Sequence, residues 1–113
     1  MFTQLEFNYI VEGMAVYDRH GNDVGIVDAL RLGEGIIKAT ETNTITMVET
    51  ISEALGRHDE FPTIFYAHLF DKGFARVKRN IFQRDVLVLH DQIDDIRMSG
   101  IHLTVDEREL VRV

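Results

Sequence analysis

The sequence GMAVYDRHGNDVGIV occupies residues 13–27 and decides the fold. Its first part alternates, so that Met14 and Val16 face one side of an extended chain while their neighbours face the other. A second, mostly apolar run follows over residues 24–32. The stretch therefore predicts two neighbouring strands of a β-rich domain.

The residues between these strands predict a tight turn from Asp18 to Asn22. Aspartate and asparagine accept hydrogen bonds from nearby main-chain N–H groups, and Gly21 tolerates a positive φ angle. Gly25 lies inside the second strand, where a lone glycine marks a bulge, a bend or a close approach of another backbone segment. Such points are typical of a strongly curved sheet.

One short helix is predicted over residues 46–56, within a helix-bearing insertion at about residues 41–62. Thr46 and Glu49 have the spacing of a capping box, and Gly56 is a suitable C-terminal stop. The apolar residues between them follow at helical spacing.

The remaining segments predict further short strands separated by Gly and Asp turns. We expect a first strand within residues 2–12 and a hairpin whose strands are 63–70 and 74–78, with its turn at 71–73. A further strand is expected over 85–89, followed by a turn-like segment at 93–96. The last strand is expected over 101–105, followed by a helical turn from Asp106 to Leu110. Six or seven strands with one helix predict a mainly β protein, either a small barrel or a sandwich.

Length and composition set the class of protein. The 113 residues predict a single domain, 1–113, with one hydrophobic core. The chain has 12 Lys and Arg against 19 Asp and Glu, a formal net charge of −7, which disfavours general binding of polyanions. It has no cysteine, which excludes disulfides and thiolate metal sites. It shows no signal-peptide pattern and no apolar run long enough to span a bilayer, so a cytoplasmic protein without membrane contact is expected.

The stretch Gly13–Val27 resembles the start of a PRC-barrel domain. The motif positions are Gly13, Val16, Tyr17, Asp18, Gly21 and Gly25, which we expect to have structural roles. The later segments 73–77, 85–89, 93–96 and 101–105 are similar to the second half of that family. The resemblance implies a compact β-barrel of about six strands that acts mainly as an interaction module. It implies no catalytic residues and no cofactor.

No constellation of residues points to catalysis or to a metal. No two histidines stand at the i, i+2 or i, i+4 spacing that would place both on one metal ion (His20, His58, His68, His90 and His102). The chain has two serines, Ser52 and Ser99, and neither lies in a nucleophile elbow. We therefore predict a non-enzymatic protein with no cofactor and no metal.

A basic cluster stands out against the acidic total. It comprises Arg76, Lys78, Arg79 and Arg84. On a strand, Arg76 and Lys78 share the solvent face while Val77 points inward. The cluster is either a solvated face paired with neighbouring acids or a contact for an acidic partner or RNA phosphates.

An aromatic group is the second candidate surface. Its members are Phe61, Phe65, Tyr66 and Phe70. The core is one place for these side chains. A small barrel cannot hold every aromatic from both faces of a hairpin, so the others pack under the helix or form a homodimer contact.

Three functions are left open by the sequence. The leading hypothesis is an interaction module that binds an unidentified protein partner, with a homodimer as one form of it. The second is an accessory factor in RNA or ribosome metabolism that uses Arg76–Arg84. The third is a protein that binds a small ligand or a metal.

Overall fold

The computed structural model describes residues 7–56 and 61–113. Within these ranges the chain forms seven strands and three α-helices. In chain order they are β1 Ala15–Tyr17, β2 Asp23–Leu32, α1 Ile36–Glu41, α2 Thr44–Leu55, α3 Thr63–Lys72, β3 Gly73–Lys78, β4 Val86–Leu89, β5 Ile93–Arg97, β6 Gly100–Leu103 and β7 Val111–Arg112. Short 3₁₀ turns occupy His90–Gln92 and Glu107–Glu109.

All seven strands belong to one sheet, in the order β5-β6-β1-β2-β3-β4-β7. The pair β1 and β6 is parallel, and the other neighbours are antiparallel. Because β5 and β7 are edges that do not pair with each other, the sheet is open. The predicted closed barrel of about six strands is therefore wrong.

The core has two parts, one on each face of the sheet. On the inner face, β1 to β6 contribute to one cluster that also holds Phe7 and Ile10. Val88 of β4 and Ile93 of β5 share this cluster although their strands are far apart in the order, so the sheet curls around it. The outer face carries the three helices.

Strand β4 joins the two parts of the core because both of its faces are buried. Val86 and Val88 belong to the inner cluster, whereas Leu87 and Leu89 meet the helices. A strand covered on both sides has a continuous run of apolar residues, as Val86–Leu89 does with its sequence VLVL. The strand predicted over 85–89 is confirmed.

The strand predicted over 63–70 is wrong, since this segment is helix α3. Tyr66, Leu69 and Phe70 are buried at the i, i+3 and i+4 spacing of one helix face. Pro62 precedes the first turn, where it needs no N–H partner, and Gly73 ends the helix. Only the second half of the predicted hairpin, now β3, is a strand.

Helix α2 confirms the helix predicted at about 46–56 but begins two residues earlier. Its cap is Asn43 and not Thr46: the Asn43 side chain accepts a hydrogen bond from Thr46 N. Gly56 ends it in the left-handed conformation, as predicted.

Helix α1 was not predicted, and helix and strand are present in comparable amounts in the described residues. The predicted six or seven strands are confirmed, but the described residues form three α-helices where one was predicted, so helix and strand share the domain.

Two smaller predictions also fail. Residues 7–12 form no strand; Phe7 and Ile10 are joined by a hydrogen bond from Ile10 N to Phe7 O and insert into the inner cluster. The first five residues of that predicted strand, 2–6, lie outside the described residues. The turn-like segment at 93–96 is part of strand β5, because it pairs with β6.

Candidate functional site: the β3–β4 hairpin

Arg76 of the predicted basic cluster connects strand β3 to the end of helix α2. Its Nη2 lies 2.9 Å from Asp85 Oδ2, and its Nη1 donates to Leu55 O at 2.8 Å, at the end of α2. A cation is favoured at a helix C-terminus, where carbonyl groups lack helical partners. Val77 is buried between Arg76 and Lys78, as the strand alternation predicts, and Arg76 is half-buried and paired with the neighbouring Asp85, which agrees with the first of the two alternatives for this cluster.

The other three cations lie in three different settings. Arg79 has a side chain only 6% exposed, and its Nη2 lies 3.0 Å from Glu107 Oε2. Arg84 is exposed and its Nε donates to the main-chain oxygen of Val113 at 3.4 Å. Lys78 is exposed at the end of β3 and forms no ion pair with any described residue. The sequence cluster is thus divided among separate contacts.

The loop between β3 and β4 presents two apolar side chains at its tip. Asn80 Oδ1 accepts a hydrogen bond from Phe82 N at 2.9 Å, and Gln83 N donates to Asn80 O at 3.0 Å. A third bond joins the Asn80 and Gln83 side-chain amides at 2.9 Å. This ordered turn holds Ile81 and Phe82, each 90% exposed.

A groove lies beside this tip, between the hairpin and β2. It consists of two adjoining cavities of about 220 and 300 Å³, which share Ile26, Lys78 and Arg79 in their walls. Gly25 lines the larger one, where a Cβ atom would collide with the main-chain oxygen of Lys78. The predicted close approach at Gly25 is confirmed, and it brings β2 against the hairpin.

We call Ile26, Lys78, Arg79, Ile81 and Phe82 the hairpin surface. Sequence reasoning identified its two cations and missed its three apolar residues. The sequence did contain an indication of exposed apolar side chains. Ile81 and Phe82 lie between the polar residues Asn80 and Gln83, where a turn between two strands is expected.

The predicted aromatic group forms no exposed surface. Tyr66 and Phe70 are buried, and Phe61 and Phe65 are half-buried against the same helical part of the core. The Phe61 ring contacts those of Phe65 and Tyr66 edge to face, with centroids 4.9 and 5.9 Å apart. Arg31 lies over the Phe70 ring at 5.8 Å. These aromatics pack in the core.

Asp18 is the centre of the predicted β1–β2 turn. Its carboxylate is 2% exposed and accepts hydrogen bonds from His20 N and Asn22 N at 2.9 Å each, and from Glu107 N at 3.3 Å. Burial raises the pKa of Asp18, but these hydrogen bonds together outweigh it, so the pKa lies below its ordinary value. Gly21 has a φ of 82°, as the turn requires.

The other motif residues are also structural. Val16 is buried in the inner cluster, and Gly13 N donates to Val27 O at 2.8 Å. Tyr17 stacks on His102, with ring centroids 5.2 Å apart. These contacts fix the start of the sheet.

One pair that sequence reasoning did not identify joins Ser99 and His102. Ser99 Oγ, on the exposed turn before β6, lies 2.9 Å from Nε2 of His102, which is half-buried in β6. Among the described residues, no carboxylate is hydrogen-bonded to this imidazole.

Over the described ranges 7–56 and 61–113, no group of three or more His, Cys, Asp or Glu side chains could hold a metal ion. In the same ranges, no helix has both the length and the apolar character needed to cross a membrane. His58 lies outside them.

No protein-family model matches the chain, and no curated protein or solved structure is significantly similar to it. The hairpin surface combines an apolar tip, a groove and Lys78, which forms no ion pair with any described residue.

Proposed function

We propose that this protein is a non-enzymatic interaction module that binds a partner protein through the hairpin surface. The observation that carries the proposal is the tip of the β3–β4 loop, where Ile81 and Phe82 are each 90% exposed on an ordered turn. Exposure on this scale is unfavourable in water unless a partner covers the side chains.

The arrangement differs from the scattered apolar residues found on most surfaces. Single exposed hydrophobic side chains are normal, but a contiguous patch beside a polar rim is typical of an interaction site. Ile26 on β2 is also exposed, and it lines the groove together with Asn80, which precedes the tip. Aromatic residues such as Phe82 are enriched at the centres of interfaces.

A protein partner is favoured over RNA by the state of the predicted basic cluster. Arg76 and Arg79 are already paired with Asp85 and Glu107. Lys78 and Arg84 form no ion pair with a described residue, and of these two only Lys78 belongs to the hairpin surface. Counterion release from RNA needs several cations that are free to meet phosphates.

The test compares two serine substitutions of exposed isoleucines. Ile81→Ser changes the tip, and Ile64→Ser is the matched control because Ile64 is 80% exposed on α3, away from the hairpin. The tagged protein is used to recover partners from its native cell, and each partner is then purified and titrated with the variants by calorimetry. We expect Ile64→Ser to bind like the original protein and Ile81→Ser to bind at least about tenfold more weakly.

Equal binding by Ile81→Ser and Ile64→Ser would contradict the proposal. So would binding to a single-stranded RNA at low salt that exceeds binding to every recovered protein. The PRC-barrel resemblance remains a prediction. The homodimer also remains one, and light scattering of the purified protein tests it.

A further inference from the structure

We infer that two copies of this chain form a two-fold symmetric dimer through the groove between helices α1 and α3. This surface is separate from the hairpin surface, so the inference goes beyond the proposed function and does not depend on it. It rests on two exposed isoleucines that line the groove from different helices and on the balance of charge around them.

The groove between α1 and α3 is an exposed apolar surface. It encloses a cavity of about 260 Å³, whose walls include Ile36 of α1 and Ile64 of α3. These two side chains are 63% and 80% exposed. Ala39 and Ala67 line the same cavity, and their small side chains leave room for a side chain from another molecule. Two large exposed apolar residues that share one groove form a contiguous patch, which is typical of an interaction site.

Helix α3 presents this patch along its length. Ile64, Ala67, His68 and Asp71 all line the groove, and their spacing of three or four residues places them on one helix face. The opposite face of α3 is buried in the helical part of the core. The face that carries Ile64 is therefore the one on which a second molecule can pack.

Charge favours a second copy of this chain as that molecule. The chain has a net charge of −7, so two copies repel each other across most of their surfaces. Helices α1 and α3 are exceptions, because each carries one cation and one acid. These residues are Lys38 and Glu41 in α1, and Asp71 and Lys72 in α3. The excess of negative charge thus lies entirely outside the two helices that form the groove.

Two-fold symmetry makes this balance complementary. In a two-fold contact the same patch is present on both subunits, so each charge must meet its opposite within one patch. Lys38, Glu41 and Asp71 form no ion pair with a described residue, so charges of both signs are available to a second copy. The acid just before α1, Glu34, lies 3.5 Å from Arg31 and is already paired. A strongly basic or strongly acidic partner would meet like charges in this patch.

The dimer leaves the hairpin surface accessible. Helix α3 joins β3 at Gly73, whereas the tip follows the other end of β3 at Lys78. The groove and the tip therefore lie toward opposite ends of that strand. Each protomer of the dimer keeps its own hairpin surface for the partner of the proposed function.

Light scattering and sedimentation velocity of the full chain test the dimer, at about pH 8 where histidine is neutral. We expect the mass to rise between about 10 µM and about 1 mM and to level off at twice the monomer mass. Ile64→Glu and Ile36→Glu should each weaken the dimer at least about tenfold, because a carboxylate replaces an apolar contact and upsets the charge balance. Ile81→Glu is the matched control, since Ile81 is 90% exposed at the tip, and it should dimerise like the original protein.

Salt separates this contact from one that depends mainly on ion pairs. Raising sodium chloride from about 0.05 M to about 0.5 M should leave the dimer unchanged or tighten it, because salt screens the repulsion between two acidic copies. Circular dichroism checks that the variants are folded. If one groove variant does not fold, the other variant and the salt titration of the original protein decide the question.

Four results would overturn the inference. They are a monomer mass at about 1 mM, groove variants that dimerise like the original protein, a dimer that is weakened tenfold or more by salt, and a mass that keeps growing beyond the dimer, as head-to-tail contacts produce. Loss of the dimer in Ile81→Glu would also overturn it, because the contact would then lie at the tip. Partner binding that is lost in Ile81→Ser while the tip variants still dimerise supports both proposals. Loss of the dimer in Ile64→Glu with unchanged partner binding in Ile81→Ser removes only the proposed function.

Discussion

The β1–β2 and β3–β4 turns contain the same local hydrogen bond, but the first turn stabilises the fold and the second presents a surface. In each, a side-chain oxygen accepts a hydrogen bond from the N–H two residues on: Asp18 from His20, and Asn80 from Phe82. The Asp18 turn is also bonded to the distant segment 105–107, through Arg19 N to Val105 O and Glu107 N to Asp18 Oδ2.

The Asn80 turn has no such attachment: the hydrogen bonds of Asn80, Phe82 and Gln83 within the described residues stay inside the turn. A turn that stabilises the fold is polar and buried at its centre. A turn that presents a surface is self-contained and carries apolar side chains outward. The two therefore differ in what they contribute to folding and to binding.

The largest expected difference is in stability. Asp18→Ala should lower the free energy of unfolding by about 2–4 kcal/mol, because three main-chain N–H groups lose a buried acceptor. Urea denaturation followed by circular dichroism measures the change. A loss below about 1 kcal/mol would mean that the Asp18 turn is no more structural than the Asn80 turn.

The stability contributed by Asp18 should depend on pH. Its pKa is lowered in the folded protein, so the contribution is fully present above the unfolded value near 3.8 and is lost as the pH falls through the folded value below it. Asp18→Asn removes this titration. Urea denaturation from pH 7 to pH 2.5 should show a constant gap between the two proteins above about pH 5 and a shrinking gap below pH 4. A gap that stays constant throughout would contradict the assignment.

Asn80→Ala should have a smaller effect on stability and a clear effect on binding. The lost hydrogen bonds are exposed, so the expected destabilisation is about 0.5–1 kcal/mol. Under the proposed function, the loosened tip binds its partner more weakly. Destabilisation comparable to that of Asp18→Ala would erase the distinction between the turns.

Removing the apolar tip itself should cost almost nothing in the folded protein. Ile81→Ser combined with Phe82→Ser should change the free energy of unfolding by less than about 0.5 kcal/mol, because both side chains are already in water. The same denaturation assay measures it, with Ile64→Ser as the control. A large loss would show that the tip contributes to the core.

Sequence patterns predicted the parts of the fold that depend on near neighbours. The Asp18 turn, the Gly56 helix stop, the strand over 85–89 and the cap at Asp106 each follow from residues within a few positions of one another. The hydrogen bonds of the turn and the two caps are mostly local, so a pattern of a few residues is sufficient to specify them. The apolar run of 85–89 marks a buried strand although its hydrogen bonds go to β3 and β7.

The failures have a common physical cause, which is burial against distant elements. The segment 63–70 is apolar on several sides, so a strand and a helix were both compatible with it until Leu69 and Phe70 met the outer face of the sheet. The basic cluster was divided because Asp85, Leu55 and Glu107 come from other elements. Leu55 and Glu107 are far from the cluster in the sequence, whereas Asp85 directly follows Arg84.

The burial of strand β4 on both faces affects the entropy of binding at the tip. A strand with both faces covered opens last, so the amides of Val86–Leu89 should be among the slowest to exchange with deuterated water. Phe82 therefore stands four residues from one of the most rigid parts of the sheet. Binding at such a tip would order few additional bonds, and its loss of conformational entropy would be correspondingly small.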